Sequence, residues 1–298
     1  MENVLPVLFL MAVGAGLKRL PAFPATTGQS LNMYVIYVSL PALVLVQVPK
    51  LKVSADLWVP VVLPWAMLAL SAALVLLLGK LLRWERGVVG GLLLGVPLGN
   101  TSFLGIPFVQ ALFGPAGVPY AVLYDQLGTF LALAVYGAVV LAFFGGEGKP
   151  DAGKILKRII TFPPFLAMVA AFLIRDATPP AAVTAALERI GGTLVPVVMV
   201  AVGFQLTLRV PKGQVAPMAM GLGIKMILAP LVALGALGAL GIGGEATRVA
   251  IFESGMAPMI TAGALAIAAG LAPEMMAAMV GLGIVLSFVT LPVLFSLL

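Results

Sequence analysis

Cysteine and histidine are both absent from the 298 residues. Without them the chain has no disulfides, no thiolate chemistry, no Ser-His-Asp or Cys-His nucleophilic site, no His-rich zinc site and no imidazole proton switch. Metal-dependent and covalent enzymology are thereby disfavoured. Charge is scarce as well: 9% of residues are Asp, Glu, Lys or Arg and 62% are hydrophobic, where soluble domains run to roughly 25% charged. Water is not the main solvent of such a chain. The charge that remains is 17 basic against 11 acidic residues for a net +6, and most of the cations sit in short connectors. No basic stripe with interleaved aromatics appears, so the surplus fits membrane topology and nucleic acid is set aside.

What the sequence does have is apolar stretches that recur almost without pause. A helix needs roughly 20 apolar residues to cross a bilayer. Cutting at charge and Pro/Gly clusters gives spans 3–18, 27–48, 57–82, 87–113, 116–146, 155–175, 181–208, 213–242, 246–270 and 273–297. The prediction is an all-α integral membrane protein of about ten transmembrane helices, one transporter-like domain over residues 1–298. The run Asn3 to Leu17 is followed by Lys18-Arg19 rather than a small-residue cleavage site, so it reads as a retained helix. Odd-numbered connectors hold 11 Lys and Arg against 5 in the even-numbered ones. The inside-positive bias then places the odd connectors, including Glu147 to Arg158, in the cytoplasm and both termini outside, in a multi-pass protein of the inner cell membrane.

The connector 147–154 separates residues 1–146 from 155–298, five spans on each side. An odd number of spans per half forces the halves into opposite orientations, the inverted-repeat architecture of many secondary transporters. A 156-residue offset lays Arg19 on Arg175, Pro24 on Pro180, Gly99 on Gly255 and Gly114 on Gly270, with Pro41 one residue from Pro196. Gly and Pro are plentiful here, so the matches gain weight only from the topology.

The fourth span carries Gly91, Gly95 and Gly99 at four-residue spacing, then Asn100, Thr101, Ser102 and Pro107. The glycine stripe admits a neighbouring helix. Pro97 and the run Gly99 to Ser102 are poor helix interior and good helix start, which predicts a break near 99–102 with Asn100 or Thr101 as cap. In the ninth span Pro258 falls on the position matching Ser102, and a proline at the first helical position loses nothing by lacking an N–H. Interruptions at corresponding places in two halves point to a midplane binding site. Two facing helix N-termini would stabilise a carboxylate there without a metal.

Three ionisable residues fall deep in spans: Asp125, Lys225 and Glu253. At about 1.5 Å per residue, Asp125 and Lys225 lie near the middle of a roughly 30 Å hydrocarbon core. Intramembrane charges are functional candidates by default; the alternative for Lys225 is snorkelling or pinning helices by an ion pair. Tyr120 and Tyr124, read as interface anchors, would place Asp125 shallower. Gly14-Ala15-Gly16 and Gly221-Leu222-Gly223 follow no strand and read as packing glycines rather than phosphate loops. The 14 methionines read as apolar filler.

With LNMYVIYVSLPALVL in the second span, GNTSFLGIPFVQALFG in the fourth and Thr290-Leu291-Pro292 near the C-terminus, the chain resembles the auxin efflux carrier family over essentially its whole length. That family includes plant auxin exporters and bacterial permeases for malate-like acids. The resemblance implies two inverted five-helix repeats with crossed, broken fourth and ninth helices. It also implies a scaffold of the first, second, sixth and seventh helices through which members often dimerise, and a moving transport domain made of the rest. The family's crossover asparagine maps to Asn100; the second repeat offers Met256-Ala257-Pro258 instead. Glu253-Ser254-Gly255-Met256 is similar to the ninth-helix motif of the bile acid–sodium symporters, but the Gln-Asn that follows there is missing, which removes oxygen ligands a hard cation needs.

The expectation is a secondary carrier that moves a small organic anion by an elevator-like alternating access. Asn100, Thr101, Ser102, Asp125, Lys225, Glu253 and Pro258 are its substrate or ion residues, and Pro41 and Pro196 its hinges. No cofactor or metal is expected beyond a coupling proton or sodium ion. The rivals are a sodium-coupled symporter, a channel and a membrane enzyme.

Overall fold

The computed structural model describes residues 5–52, 54–146, 150–175, 179–209 and 213–298. The first residues of the 3–18 span and the start of the 147–154 connector lie outside the described residues. Among the described residues the regular structure is helical, with one isolated β-bridge. The helices are α1 (Leu5–Leu17), α2 (Thr27–Lys50), α3 (Val59–Leu81), α4 (Arg86–Gly95), α5 (Thr101–Leu112), α6 (Val118–Phe144), α7 (Ala152–Ile160), α8 (Pro163–Leu173), α9 (Ala181–Gln205), α10 (Val215–Ala239), α11 (Glu245–Ser254), α12 (Ile260–Ala268) and α13 (Pro273–Leu297).

Six of these, α2, α3, α6, α9, α10 and α13, are long and apolar enough to cross a bilayer, and α7 with α8 makes a seventh if the pair, bent by 59°, is one span. The chain is a multi-pass integral membrane protein. Its outward faces agree: Leu76 and Leu77 on α3 and Val289 and Val293 on α13 are exposed, an arrangement suited to lipid, where helices satisfy their own backbone groups. The expected fourth and ninth spans each hold two short helices, α4 and α5 in one and α11 and α12 in the other, with unwound segments 96–100 and 255–259 between them.

The helices pack in two groups. In the first, α1 lies against α9, and α2 against α8 and α9. The α1–α9 approach is close because Gly14 faces the Val200 carbonyl and Gly203 the Met11 carbonyl, so a Cβ at either would overlap backbone. In the second group, α3 packs on α4, α6 and α11, while α4 and α12 pack on α13. Here the glycine stripe acts as its spacing suggests: a Cβ at Gly91 or Gly95 would press on Met276 of α13. The two groups touch where α9 meets α5 and where α2 and α8 meet α6.

Four stretches carry the wider π-helical winding: Val35–Ser39 in α2, Thr101–Gly105 in α5, Tyr124–Phe130 in α6 and Ile224–Leu228 in α10. Such bulges displace a carbonyl from the regular ladder and recur at functional sites. In α6 the Leu127 carbonyl accepts the Trp65 indole N–H at 3.1 Å.

Candidate functional site

The two breaks meet each other. The Asn100 N–H donates to the Ala257 carbonyl at 2.8 Å and the Met259 N–H to the Leu98 carbonyl at 2.9 Å, which makes Gly99 and Pro258 an antiparallel bridge. Buried unwound backbone needs such partners. Gly99 and Pro258 form the pair that exchanges no hydrogen bond, the one place in a ladder where a proline loses nothing. Local propensity puts Pro258 at the first position of the second half-helix; the structure starts α12 at Ile260, with Met259 before it and Pro258 in the bridge.

Asn100 precedes α5, as the sequence suggests, yet its side chain makes no cap bond. Its carbonyl accepts from the Leu104 and Gly105 N–H groups at 3.1 and 3.0 Å, the consequence of the π turn that opens α5. The side chain, only 3% exposed, leaves its amide Nδ2 without a partner among the described residues. Thr101 turns to α6 instead, donating from Oγ1 to Asp125 Oδ1 at 2.5 Å, while Gln126 Nε2 donates to Asp125 Oδ2 at 2.6 Å. Ser102 faces the same carboxylate.

Glu253 and Lys225 both come close to the broken helix of the first half, at Gly105 and Gly99. The Glu253 carboxylate is fully buried, and neither oxygen has a hydrogen-bond partner among the described residues. It lies over Gly105, where a Cβ would come within 2.7 Å of Glu253 Cδ and closer still to the oxygens. Lys225, 3% exposed on α10, brings Nζ to 3.0 Å from where a Gly99 Cβ would stand. It does not pin helices by an ion pair: among the described residues, the ion pairs within 4 Å are Lys50 with Glu188 and Lys154 with Asp151. Tyr120 and Tyr124 are both buried within the protein, and Tyr120 borders a pocket with Lys50, Lys52 and Glu245.

A cavity of about 150 Å³ opens beside the first break, lined by Asn100, Ser102, Asp125, Met259 and Thr261 together with Ile36 and Leu40 of α2 and Phe130 of α6. Arg158 of α7 and Phe162 complete the wall. The Phe162 ring stacks on Phe130, centroids 4.0 Å apart. Glu253, Lys225 and Pro258 are outside this lining. Arg158 and Phe162 escaped the sequence reading, which took Arg158 for one more connector cation. The available signal was its place in a short helix, AGKILKRII, whose opposite face is apolar.

Pro41 and Pro196 stand on α2 and α9, which pack together. Pro41 follows the π stretch Val35–Ser39, and Ser39 Oγ lies 2.7 Å from Thr193 Oγ1, three residues before Pro196. A further device had no sequence signal at all. Asp56, 6% exposed, accepts from the Thr247 N–H at 2.9 Å, Thr247 Oγ1 at 3.1 Å and Ser54 Oγ at 2.5 Å, and so caps α11 from 191 residues away. Burial pushes this carboxyl up, but the bonds from Ser54 and Thr247 outweigh it and hold the group below its ordinary range.

A sequence profile described as "membrane transport protein" matches residues 1–152 and 152–295, nearly the whole chain. The chain belongs to that family, the auxin efflux carriers. Among its relatives is an uncharacterized transporter of Methanothermobacter thermautotrophicus, 29% identical over 294 residues that cover 98% of this chain and 96% of the relative. An uncharacterized transporter of Methanocaldococcus jannaschii is 29% identical over 217 residues, 70% of this chain and 69% of that one. Family membership makes this a secondary transporter rather than an enzyme, and among the described residues no cluster of His, Cys, Asp and Glu is arranged to hold a metal ion.

Proposed function

We propose that this carrier moves a small organic anion, such as a carboxylate, by alternating access, with the substrate held at the meeting point of the two breaks. The observation that carries the reading is Asn100: a buried amide donor with no partner, in the wall of a cavity whose edge also bears Arg158. An unsatisfied donor of this kind costs about 1–3 kcal/mol, a cost removed when an anion oxygen accepts from it. The first-turn N–H groups of α5 and α12 add partial positive charge on the same side.

In this reading the chain crosses the membrane ten times in two inverted halves, α4–α5 and α11–α12 being the crossed, interrupted helices. Support comes from Gly114 and Gly270, matched by the 156-residue offset. They end α5 and α12 with φ of 75° and 70°, the left-handed conformation that favours glycine at a helix end. The α1, α2, α8 and α9 group serves as the scaffold, and as the surface for a homodimer; the remaining helices carry the substrate past it, with Pro41 and Pro196 as hinges. The connector 147–154 is cytoplasmic and both termini are external, by the cation count.

A second reading, the sodium-coupled symporter, draws on Glu253, whose two buried unpartnered oxygens suit a cation or a proton. Lys225, already beside Gly99, supplies a resident positive charge, and Asp125 a second carboxylate. Uptake that persists without a sodium gradient and follows a proton gradient favours the proton.

The test is thermal stability of the purified protein in detergent across a panel of carboxylates, for wild type and Asn100→Asp. A bound carboxylate stabilises the wild type. Asn100→Asp keeps the side-chain shape and removes no cap bond; its melting temperature without ligand reads the cost of the buried carboxylate, and the further shift that a ligand gives is mostly lost because the variant sets like charge against it. Unchanged ligand-induced stabilisation in Asn100→Asp would remove the anion from this site.

A further inference from the structure

Helix α7 is amphipathic in an unusually complete way. At about 100° per residue, Ile155 and Ile159 share one sector, Leu156 and Ile160 the next, and Lys157 and Lys154 lie opposite. Burial follows the sectors. Ile155 and Ile159 are half-buried against the protein, Leu156 and Ile160 stay 58% and 52% exposed, and both lysines are exposed. Asp151 caps the helix, accepting from the Gly153 and Lys154 N–H groups at 2.9 and 3.2 Å, so the helix stands as a defined element.

Its orientation points the same way. The helix departs by 59° from α8. Three cations in nine residues exclude it from the hydrocarbon centre, where each costs roughly 2.5–3.5 kcal/mol. Exposed Leu156 and Ile160 disfavour open water equally. Only the boundary between the two satisfies both faces.

We propose that α7 is an interfacial helix that binds the anionic headgroups of the adjoining leaflet through Lys154 and Lys157 while Leu156 and Ile160 enter the acyl layer. Charge complementarity selects an acidic lipid surface over a neutral one. The Asp151–Lys154 contact, 3.8 Å and solvent-exposed, is too weak to compete with a headgroup. The anchor also has a position that matters: Arg158, in the same helix, and Phe162, just beyond its end, form the edge of the cavity described above. The lipid surface thus holds the cavity edge in place. The lipid proposal itself rests on α7 alone and stands whatever the substrate.

Because the chain has no cysteine, Leu156→Cys supplies a single thiol for a nitroxide. Power-saturation EPR in vesicles of phosphatidylcholine alone, and of phosphatidylcholine and phosphatidylglycerol in equal parts, reads its depth. Native mass spectrometry reads phosphatidylglycerol retention. The expected result is a nitroxide below the headgroups, deeper in the acidic vesicles, and retention that falls about fivefold for each lysine replaced in Lys154→Gln and Lys157→Gln. Both lysines are exposed, so the variants fold. A nitroxide at aqueous depth in both vesicles, retention unchanged in the double variant, or efficient disulfide dimers through Leu156→Cys, which would put a second copy on this face, each overturns the proposal.

Discussion

The two breaks share a backbone solution and divide the chemistry. The first, at 96–100, ends on Asn100 and is followed by Thr101 and Ser102; Asn100 and Ser102 line the cavity while Thr101 turns to Asp125. The second, Gly255-Met256-Ala257-Pro258-Met259, offers no polar side chain. Its polarity comes from other places: Glu253, one helical residue upstream of Ser254, and Lys225 from α10. The two breaks thus differ in chemistry, polar side chains lying at the first and buried charge reaching the second from neighbouring helical positions. Glycine leaves room for that charge, since Glu253 lies over Gly105 of the first half and Lys225 over Gly99.

The sharpest way to break this comparison is Glu253→Gln, which keeps shape and removes the charge. Gradient-driven uptake into proteoliposomes is expected to fall at least tenfold, a change of about 1.4 kcal/mol or more in the barrier, with exchange between equal substrate pools largely kept. Equal loss of both would make Glu253 a packing residue. Next comes Gly105→Ala, whose Cβ would overlap the Glu253 carboxylate. Overpacking of this kind costs about 1–3 kcal/mol, read as a lowered melting temperature in detergent. Combining it with Glu253→Ala should cost less than the sum of the two, because the clash is gone; strict additivity would separate the two sites.

The smallest effect sharpens the second half alone. Asp56→Ala removes the cap of α11 and is expected to cost about 1 kcal/mol at neutral pH. Asp56 has its folded value below its ordinary 3.8. Its contribution is therefore full above the unfolded value and is lost as pH falls through the folded one. The difference in stability between wild type and Asp56→Ala should be flat from neutral pH to about 5 and shrink in stronger acid. A difference that grew on acidification would contradict the hydrogen bonds from Ser54 and Thr247 to Asp56.

Much of this was legible in residues taken one at a time. Apolar runs and scarce charge dictated helices in lipid, because a bilayer leaves backbone polar groups no other partner. Gly99 to Ser102 announced an interruption, because Gly, Pro and small polar residues leave the helix ladder unsupported. Asp125, Lys225 and Glu253 announced themselves by cost alone. What each would touch was beyond reach. Pro258 was read as a helix start on local propensity, whereas its place in the bridge depends on Gly99, 159 residues earlier. Asn100 was read as a cap, whereas the π turn hands capping to its carbonyl and frees its side chain.

The sequence by itself determined the solvent, the helical class, the family and the positions where helices give way, since each follows from composition, from local propensity or from motif. Tertiary structure alone decided that the two breaks pair, that Asp56 closes α11, that Arg158 borders a cavity, and that Lys225 stands at Gly99 with no ion pair within 4 Å among the described residues. Each of these joins residues far apart in the chain. Their proximity is set by which helices pack, and close packing across small residues is a property of pairs that no single stretch of sequence contains.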